Sequence, residues 1–314
     1  MRNLRTGVIG AGHLGRFHAQ KYAGCSDFQG LYDTDATRAR EVAAELGCRV
    51  FPSPQALLSE VDAISVVTPT STHYGVTREA LECQVHCLVE KPFTLDLQEA
   101  DALIRLAHDQ GCVLAVGHIE RAQPVMRYLR TQEFGPPRYL EGERLAPFKP
   151  RSLDVDVIMD LMIHDLDLVM MLAGCRPRDI RAVGVAAVTA QADMANAWIT
   201  LENGSVANLA VSRAVREPVR RMRLFWEDRY ASVDFLQNRL TFYRRGPGAV
   251  PGIPGVVGDV VDLPRTDALE EEIRAFLAAV RGEGEVLCDA SAGREALAAA
   301  LDVRRAVDSF LCPA

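Results

Sequence analysis

The sequence predicts an α/β protein of two domains: a doubly wound parallel sheet over residues 1–118 and an α+β domain, built on a largely antiparallel sheet, over 119–314. Three observations lead there. The 314 residues make about two domains at roughly 150 residues each. Through residue 118, short β-rich runs alternate with helical patterns, as parallel strands joined by crossover helices require. Beyond Gly117, strand-like runs follow one another without helices between them, the order of an antiparallel sheet.

In the first domain, strands are expected at 5–9, 28–32, 49–51, 63–68, 86–89 and 113–117, and helices at 13–23, 37–46, 73–83 and 95–109. Leu95, Ala102, Leu103, Leu106 and Ala107 share one helical face, which suits a helix covering a sheet. In the second, a short helix at 124–130 ends before Gly135-Pro136-Pro137, and a strand follows at 138–145. A helix at 157–172 precedes strands at 180–189, 195–201, 206–211, 222–226, 231–235 and 239–243. The Gly- and Pro-rich stretch 246–258 reads as a loop, and 267–280 and 291–307 as helices, the last expected to pack back on the first domain. No internal repeat is visible.

Composition excludes several classes of function. With 48% hydrophobic and 25% charged residues the chain is globular, not disordered. Thirty-five Lys and Arg against 42 Asp and Glu leave a net charge of -7, so no overall basic field exists to attract nucleic acid. No apolar run reaches the ~18 residues of a membrane span. Arg2 and Arg5 precede a stretch broken by Gly7, Gly10, Gly12 and Gly15, which lacks the apolar core of a secretion signal. The 8 cysteines form no Cys-x-x-Cys pair and suit reduced thiols in a cytoplasm, with no metal site expected.

Gly10-Ala11-Gly12-His13-Leu14-Gly15 follows an apolar strand, opens a helical pattern, and precedes Asp33 at the end of the next strand. Gly10 permits the tight turn, Gly12 lets backbone approach a pyrophosphate at the positive helix N-terminus, and Gly15 allows helix and strand to pack closely. Such an arrangement is a Rossmann dinucleotide site. A carboxylate at Asp33 accepts hydrogen bonds from ribose hydroxyls and repels a 2′-phosphate, so NAD is favoured over NADP. Arg38 lies close enough in sequence to weaken that preference, although its place on the following helix reads as a solvated surface position. The cofactor set is Gly10, Gly12, His13, Leu14, Gly15 and Asp33, joined by Thr68, Thr70, Glu90 and Lys91 at the ends of later strands and by His73, read as the cap of a helix after Thr68-Pro69-Thr70-Ser71-Thr72.

Glu90-Lys91-Pro92 ends the fifth strand, at the carboxyl edge where open α/β sheets bind ligands. Asp160 and His164, at i and i+4, share one face of an otherwise apolar helix, so the carboxylate can orient the imidazole. Oxidation of a secondary alcohol needs a group to take the hydroxyl proton as hydride leaves carbon. A histidine, with a reference pKa of ~6.5, suits that task, and a cationic Lys91 would stabilise the developing alkoxide. The reverse assignment, with a desolvated Lys91 as base, stays open.

The glycine motif at 10–15, Glu90-Lys91-Pro92, and Asp160 with His164 together resemble the glucose-fructose oxidoreductase and inositol dehydrogenase (Gfo/Idh/MocA) family over nearly the whole chain. That resemblance implies Lys91 and His164 as catalytic residues with Asp160 as partner, and an open C-terminal sheet that packs against another subunit in a dimer or tetramer. His118, Glu120, Arg121 and Pro124, with Glu143-Arg144, Phe148 and Arg151 ahead of Asp160, resemble the branch of the family that oxidises the 3-hydroxyl of UDP-N-acetylglucosamine. The branch usually reads Arg-Phe-Asn-Pro where this chain has Arg121-Ala122-Gln123-Pro124. The resemblance implies a 3-keto UDP-sugar made for later transamination, as in amino-sugar lipid A synthesis. An acidic protein must gather cations locally to hold a diphosphate, and Arg121, Arg144 and Arg151 are the expected set, with Arg213 a further pocket residue. His118 and Glu120 either contact the sugar or simply end their strand. The substrate set is therefore Lys91, His118, Glu120, Arg121, Arg144, Arg151, Asp160, His164 and Arg213. Two other readings remain at this point: a dehydrogenase of a free sugar or inositol, and a ligand-sensing regulator without catalysis.

Overall fold

The computed structural model describes residues 3–148, 156–250 and 253–311. The chain divides into two compact units, residues 1–122 with 267–297, and 123–266 with 298–314.

The first unit runs β1 (Arg5–Ile9), α1 (His13–Cys25), β2 (Asp27–Tyr32), α2 (Ala36–Leu46), β3 (Arg49–Val50), α3 (Pro54–Leu58), β4 (Ala63–Val66), α4 (Thr70–Glu82), β5 (His86–Glu90), α5 (Leu97–Gln110) and β6 (Leu114–Gly117). A 3-10 turn, Ile119–Ala122, follows. Its sheet has the order β3-β2-β1-β4-β5-β6, all parallel, which is the doubly wound Rossmann arrangement. Both faces are covered, so successive strand residues feed opposite cores. Ile9, Val89 and Val116 pack with Leu57, Leu81 and Leu103 on one face. Val8, Leu88 and Ala115 pack on the other with Tyr22 of α1 and with Ile273, Phe276 and Leu277 of α8 (Ala268–Val280). The helix ends follow local chemistry: Asp35 and Asp96 cap α2 and α5 by accepting backbone N–H groups, and Gly47 and Gly111 close them in the left-handed conformation. Helix α3 escapes the sequence reading, being a single turn set by Ser53 as N-cap and Pro54 at its first position.

The second unit contains α6 (Pro124–Arg130), β7 (Tyr139–Pro147), a π-turn (Ile158–Met162), α7 (Ile163–Ala173), and strands β8 (Pro177–Val185), β9 (Met194–Leu201), β10 (Val206–Val215), β11 (Val219–Phe225), β12 (Arg229–Asp234), β13 (Arg239–Val250) and β14 (Ile253–Asp262). The sheet order is β14-β13-β12-β11-β7-β10-β9-β8. It is mixed: β10 runs parallel to β7, and the other pairs are antiparallel. Within the stretch 246–258, expected as a loop, residues 246–250 and 253–258 belong to the paired strands β13 and β14. β14 is an edge strand, a position that tolerates the Pro and Gly that argued against it, because no further strand of the described residues needs its outer N–H groups. One face of the sheet is covered by the π-turn and α7, and buries Leu140, Ala197, Ile199, Leu209, Met222 and Leu224. The opposite face carries a row of aromatic rings, Trp198, Tyr139, Phe225, Tyr230 and Tyr243, with neighbouring centroids 4.7–6.1 Å apart. Helix α9 (Ala290–Leu311) closes the chain. Among the described residues, no helix is long and apolar enough to cross a membrane.

Candidate functional site

The glycine loop between β1 and α1 has the shape a dinucleotide needs. Gly10 takes φ +100°, where a Cβ would lie 2.3 Å from the Val67 carbonyl oxygen, so no other residue fits. A Cβ on Gly15 would lie 1.8 Å from the Gly10 oxygen, which fixes how closely α1 passes β1. Gly12 is different: nothing stands within 4 Å of its missing Cβ, and no side chain caps the helix there. Open space at an uncapped helix N-terminus is what a pyrophosphate fills. His13 and Leu14 are exposed on the first turn of α1, with His13 edge-on to Phe17. Asp33, just past β2, accepts the Ala11 N–H at 2.6 Å and the Asp35 N–H at 2.7 Å, and pairs with Arg38 Nη2 at 3.1 Å. Burial pushes its carboxyl up, but the two backbone N–H groups and the guanidinium outweigh that and hold it below the ordinary carboxylate range.

At the ends of β4 and β5 a hydrogen-bonded web supports Lys91. His73, in the first turn of α4 and 1% exposed, lies 2.9 Å from the Pro92 carbonyl through Nδ1 and 2.8 Å from the Thr68 carbonyl through Nε2. It thus ties the Thr68 turn to the backbone after Lys91 and does not cap α4. Thr68 and Thr70 are half-buried beside it, and the Lys91-Pro92 peptide is cis. Glu90, expected in the cofactor set, points into the protein. Its carboxylate meets His18 Nε2 at 3.0 Å and accepts the Lys91 N–H at 3.3 Å, and a Cβ on Gly117 would stand 3.0 Å from it. His18 continues to Ser65, 2.9 Å away, which in turn meets Tyr22. Burial raises the Glu90 carboxyl, yet the His18 hydrogen bond and the Lys91 charge prevail and lower it. From sequence His18 reads as structural, and it sits buried within this web. Its one signal was the i,i+4 spacing to Tyr22 on the inner face of α1.

His118, Glu120 and Arg121, at the end of β6 and in the 3-10 turn, are all buried, and Arg121 Nη1 donates to the Leu287 carbonyl at 2.8 Å.

In the second unit, the segment expected as one helix from 157 is a π-turn that becomes α-helical at Ile163. Asp156 starts it by accepting the Ile158 and Met159 N–H groups, each at 2.9 Å. Asp160 and His164 are half-buried in a run whose flanking residues, Val157 to Met159 and Asp165 to Val169, are buried; the two therefore share the more open side. Arg144 of β7, expected to face a diphosphate, is forked on Asp165 of α7, with Nε 3.0 Å and Nη2 2.8 Å from its oxygens. Arg213 is buried, with Nε 3.9 Å from Asp193. Arg151 lies outside the described residues.

Known proteins match this chain in sequence and in fold. Residues 4–118 match the family described as "Oxidoreductase family, NAD-binding Rossmann fold", and 123–231 match the GFO/IDH/MocA C-terminal domain. A UDP-N-acetylglucosamine 3-dehydrogenase of Acidithiobacillus ferrooxidans is 66% identical over 311 residues, 99% of each chain. A solved structure of that dehydrogenase superposes with a TM-score of 0.95 over 99% of both chains. An inositol 2-dehydrogenase of Rhizobium meliloti is 24% identical over 95% of this chain and 94% of its own. A levoglucosan dehydrogenase complexed with NADH and levoglucosan, 16% identical, shares the fold with a TM-score of 0.84 over 98% of both chains.

Proposed function

The chain belongs to the Gfo/Idh/MocA family of NAD-binding oxidoreductases, and from that premise we propose that it oxidises the 3-hydroxyl of UDP-N-acetylglucosamine with NAD, giving a 3-keto sugar nucleotide. The observation that carries the reading is 66% identity, across 99% of both chains, to a dehydrogenase of that substrate. The glycine loop supports the cofactor: Gly10, Gly12 and Gly15 leave room for a pyrophosphate, and Asp33 is held ionised to accept from the ribose. When bound, NAD supplies the acceptor for the hydride that leaves the sugar carbon.

This chain's own residues handle the proton and the charge. His164, with Asp160 on the same side of its helix, takes the hydroxyl proton. Lys91, anchored by the Glu90 carboxylate behind its N–H and by His73 on the carbonyl after it, stabilises the alkoxide through a charge-assisted hydrogen bond. Arg121, Arg151 and Arg213 are the cations offered to the diphosphate, with His118 and Glu120 offered to the sugar. The protein works in the cytoplasm, where the keto sugar goes on to transamination for amino-sugar lipid A. A second copy of the chain covers the aromatic face of the eight-stranded sheet, where Trp198 is 46% and Tyr243 41% exposed, in a dimer or tetramer.

A substrate panel tests the reading. NADH formation should be fast with UDP-N-acetylglucosamine and slower by about 10² or more, in kcat/KM, with free N-acetylglucosamine or myo-inositol, which lack the diphosphate anchor. Comparable rates with the free polyols would replace this function with a polyol dehydrogenase.

A further inference from the structure

We propose that Arg144 and Asp165 form a clamp that sets the rotational position of His164, and that Arg144 serves the reaction through this carboxylate and not by holding a substrate phosphate. The inference rests on the reading of His164 as the proton acceptor. Arg144 lies on β7, between β10 and β11 in the middle of the sheet. Its guanidinium reaches Asp165 by Nε, 3.2 and 3.0 Å from the two oxygens, and by Nη2 at 2.8 Å. The two side chains are 4% and 5% exposed. Two residues earlier on the same strand face is Gly142, whose Cβ would stand 3.9 Å from the Asp165 Cβ. That is an ordinary contact distance; the tight neighbour is Leu209, whose Cδ2 would lie 2.7 Å from the same Cβ.

Asp165 follows His164 directly, so the fork fixes the helix one residue from the imidazole. The other end of the segment is held by the Asp156 cap. Between these two anchors lies the π-turn, which runs directly into α7, the Ile163 N–H bonding back to the Ile158 carbonyl. A buried ion pair adds little net stability over apolar side chains of similar volume, so orientation is what this pair contributes. Side chains end about 5–6 Å from a helix axis, so a rotation of about 10° moves a side-chain tip by about 1 Å. Misplacement on that scale costs a reaction about 10²-fold.

Arg144→Lys keeps the charge and removes the fork. In that variant kcat should fall by about 10-fold to 100-fold, while calorimetric affinities for NAD and UDP-N-acetylglucosamine stay within about two-fold of the parent. A phosphate contact predicts the reverse, weaker sugar-nucleotide binding with kcat kept at saturation, and that result overturns the clamp. Should Arg144→Lys not fold, the double variant Arg144→Met with Asp165→Leu fills the buried site with apolar groups and should show the same loss of kcat. Amide exchange across 158–165 should be faster in either variant; unchanged exchange overturns the clamp whatever the substrate. A wild-type protein that leaves the UDP-sugar untouched defeats the functional reading instead, and exchange then judges the clamp alone.

Discussion

Replacing Asp33 by Asn should shift the cofactor preference from NAD toward NADP. The carboxylate has its Oδ2 on the Ala11 N–H and its Oδ1 shared by the Asp35 N–H and Arg38. An asparagine keeps the shape, loses the charge, and must turn its amide N–H2 toward one of these donors. Charge-assisted bonds are worth about 1.5 to 3 kcal/mol and neutral ones about half, so the ribose loses roughly 1 to 1.5 kcal/mol. That is about ten-fold in NAD affinity at 1.4 kcal/mol per decade. For NADP the change runs the other way. Like unit charges 4 Å apart repel by about 4 kcal/mol at an effective dielectric of 20, and solvent at the half-exposed Arg38 reduces this further. The substitution removes that repulsion and frees Arg38 from its carboxylate partner to meet a 2′-phosphate. The ratio of the two dissociation constants should narrow by about 10² or more. Titration calorimetry of parent and variant with NAD and NADP measures it. A ratio that changes by less than about three-fold would refute the role given to Asp33.

Three further outcomes follow from the structure. Lys91→Ala and His164→Ala should each lower turnover by about 10² or more with NAD affinity nearly unchanged, since both act on the hydroxyl; near-normal turnover in either removes that residue from the mechanism. Gly15→Ala should abolish NAD binding, because its Cβ would lie 1.8 Å from the Gly10 oxygen and must open the loop; wild-type affinity by calorimetry would contradict this. His86 accepts the Val113 N–H on Nδ1 at 2.9 Å, and burial lowers its pKa against the charge of Asp62. The unfolded chain then takes up the proton first, so stability is full above about pH 6.5 and falls as pH drops toward the lower folded value. Thermal melts between about pH 7.5 and about pH 5.5 should show this slope, flattened in His86→Asn, which keeps an acceptor that does not titrate; equal slopes would exclude His86 as its source.

The first unit was largely legible because its strands are buried on both faces and read as short apolar runs between glycines and caps. β1 ends where Gly10 begins, and α5 ends at Gly111. Helix α4 starts at Thr70, three residues before the apolar periodicity shows, with Pro69 as the overlooked sign. In the second unit periodicity found the interior strands but failed at β14, where an edge position relaxes the requirements that exclude Gly and Pro. The π-turn was invisible, since Asp160 and His164 share a side whether the winding is α or π. For the site, residue types pick out Lys91, Asp33 and His164 as candidates, while direction is not legible. Glu90 and Arg144 look from sequence like ligands for a cofactor and a phosphate, yet they meet His18 and Asp165. A charged residue in a motif declares that it has a partner; only packing shows whether the partner belongs to the protein.

Removal of hydride from carbon 3 of the sugar in UDP-N-acetylglucosamine is the step on which the proposed function turns. Substrate deuterated at that carbon alone, incubated with the protein and NAD, should deliver its deuterium to the nicotinamide, giving a reduced cofactor one mass unit heavier by mass spectrometry, with the sugar nucleotide recovered as the 3-keto compound. Reduced cofactor without deuterium, or no reduced cofactor from this substrate while a free sugar or inositol supplies it, would rule out hydride removal from that carbon.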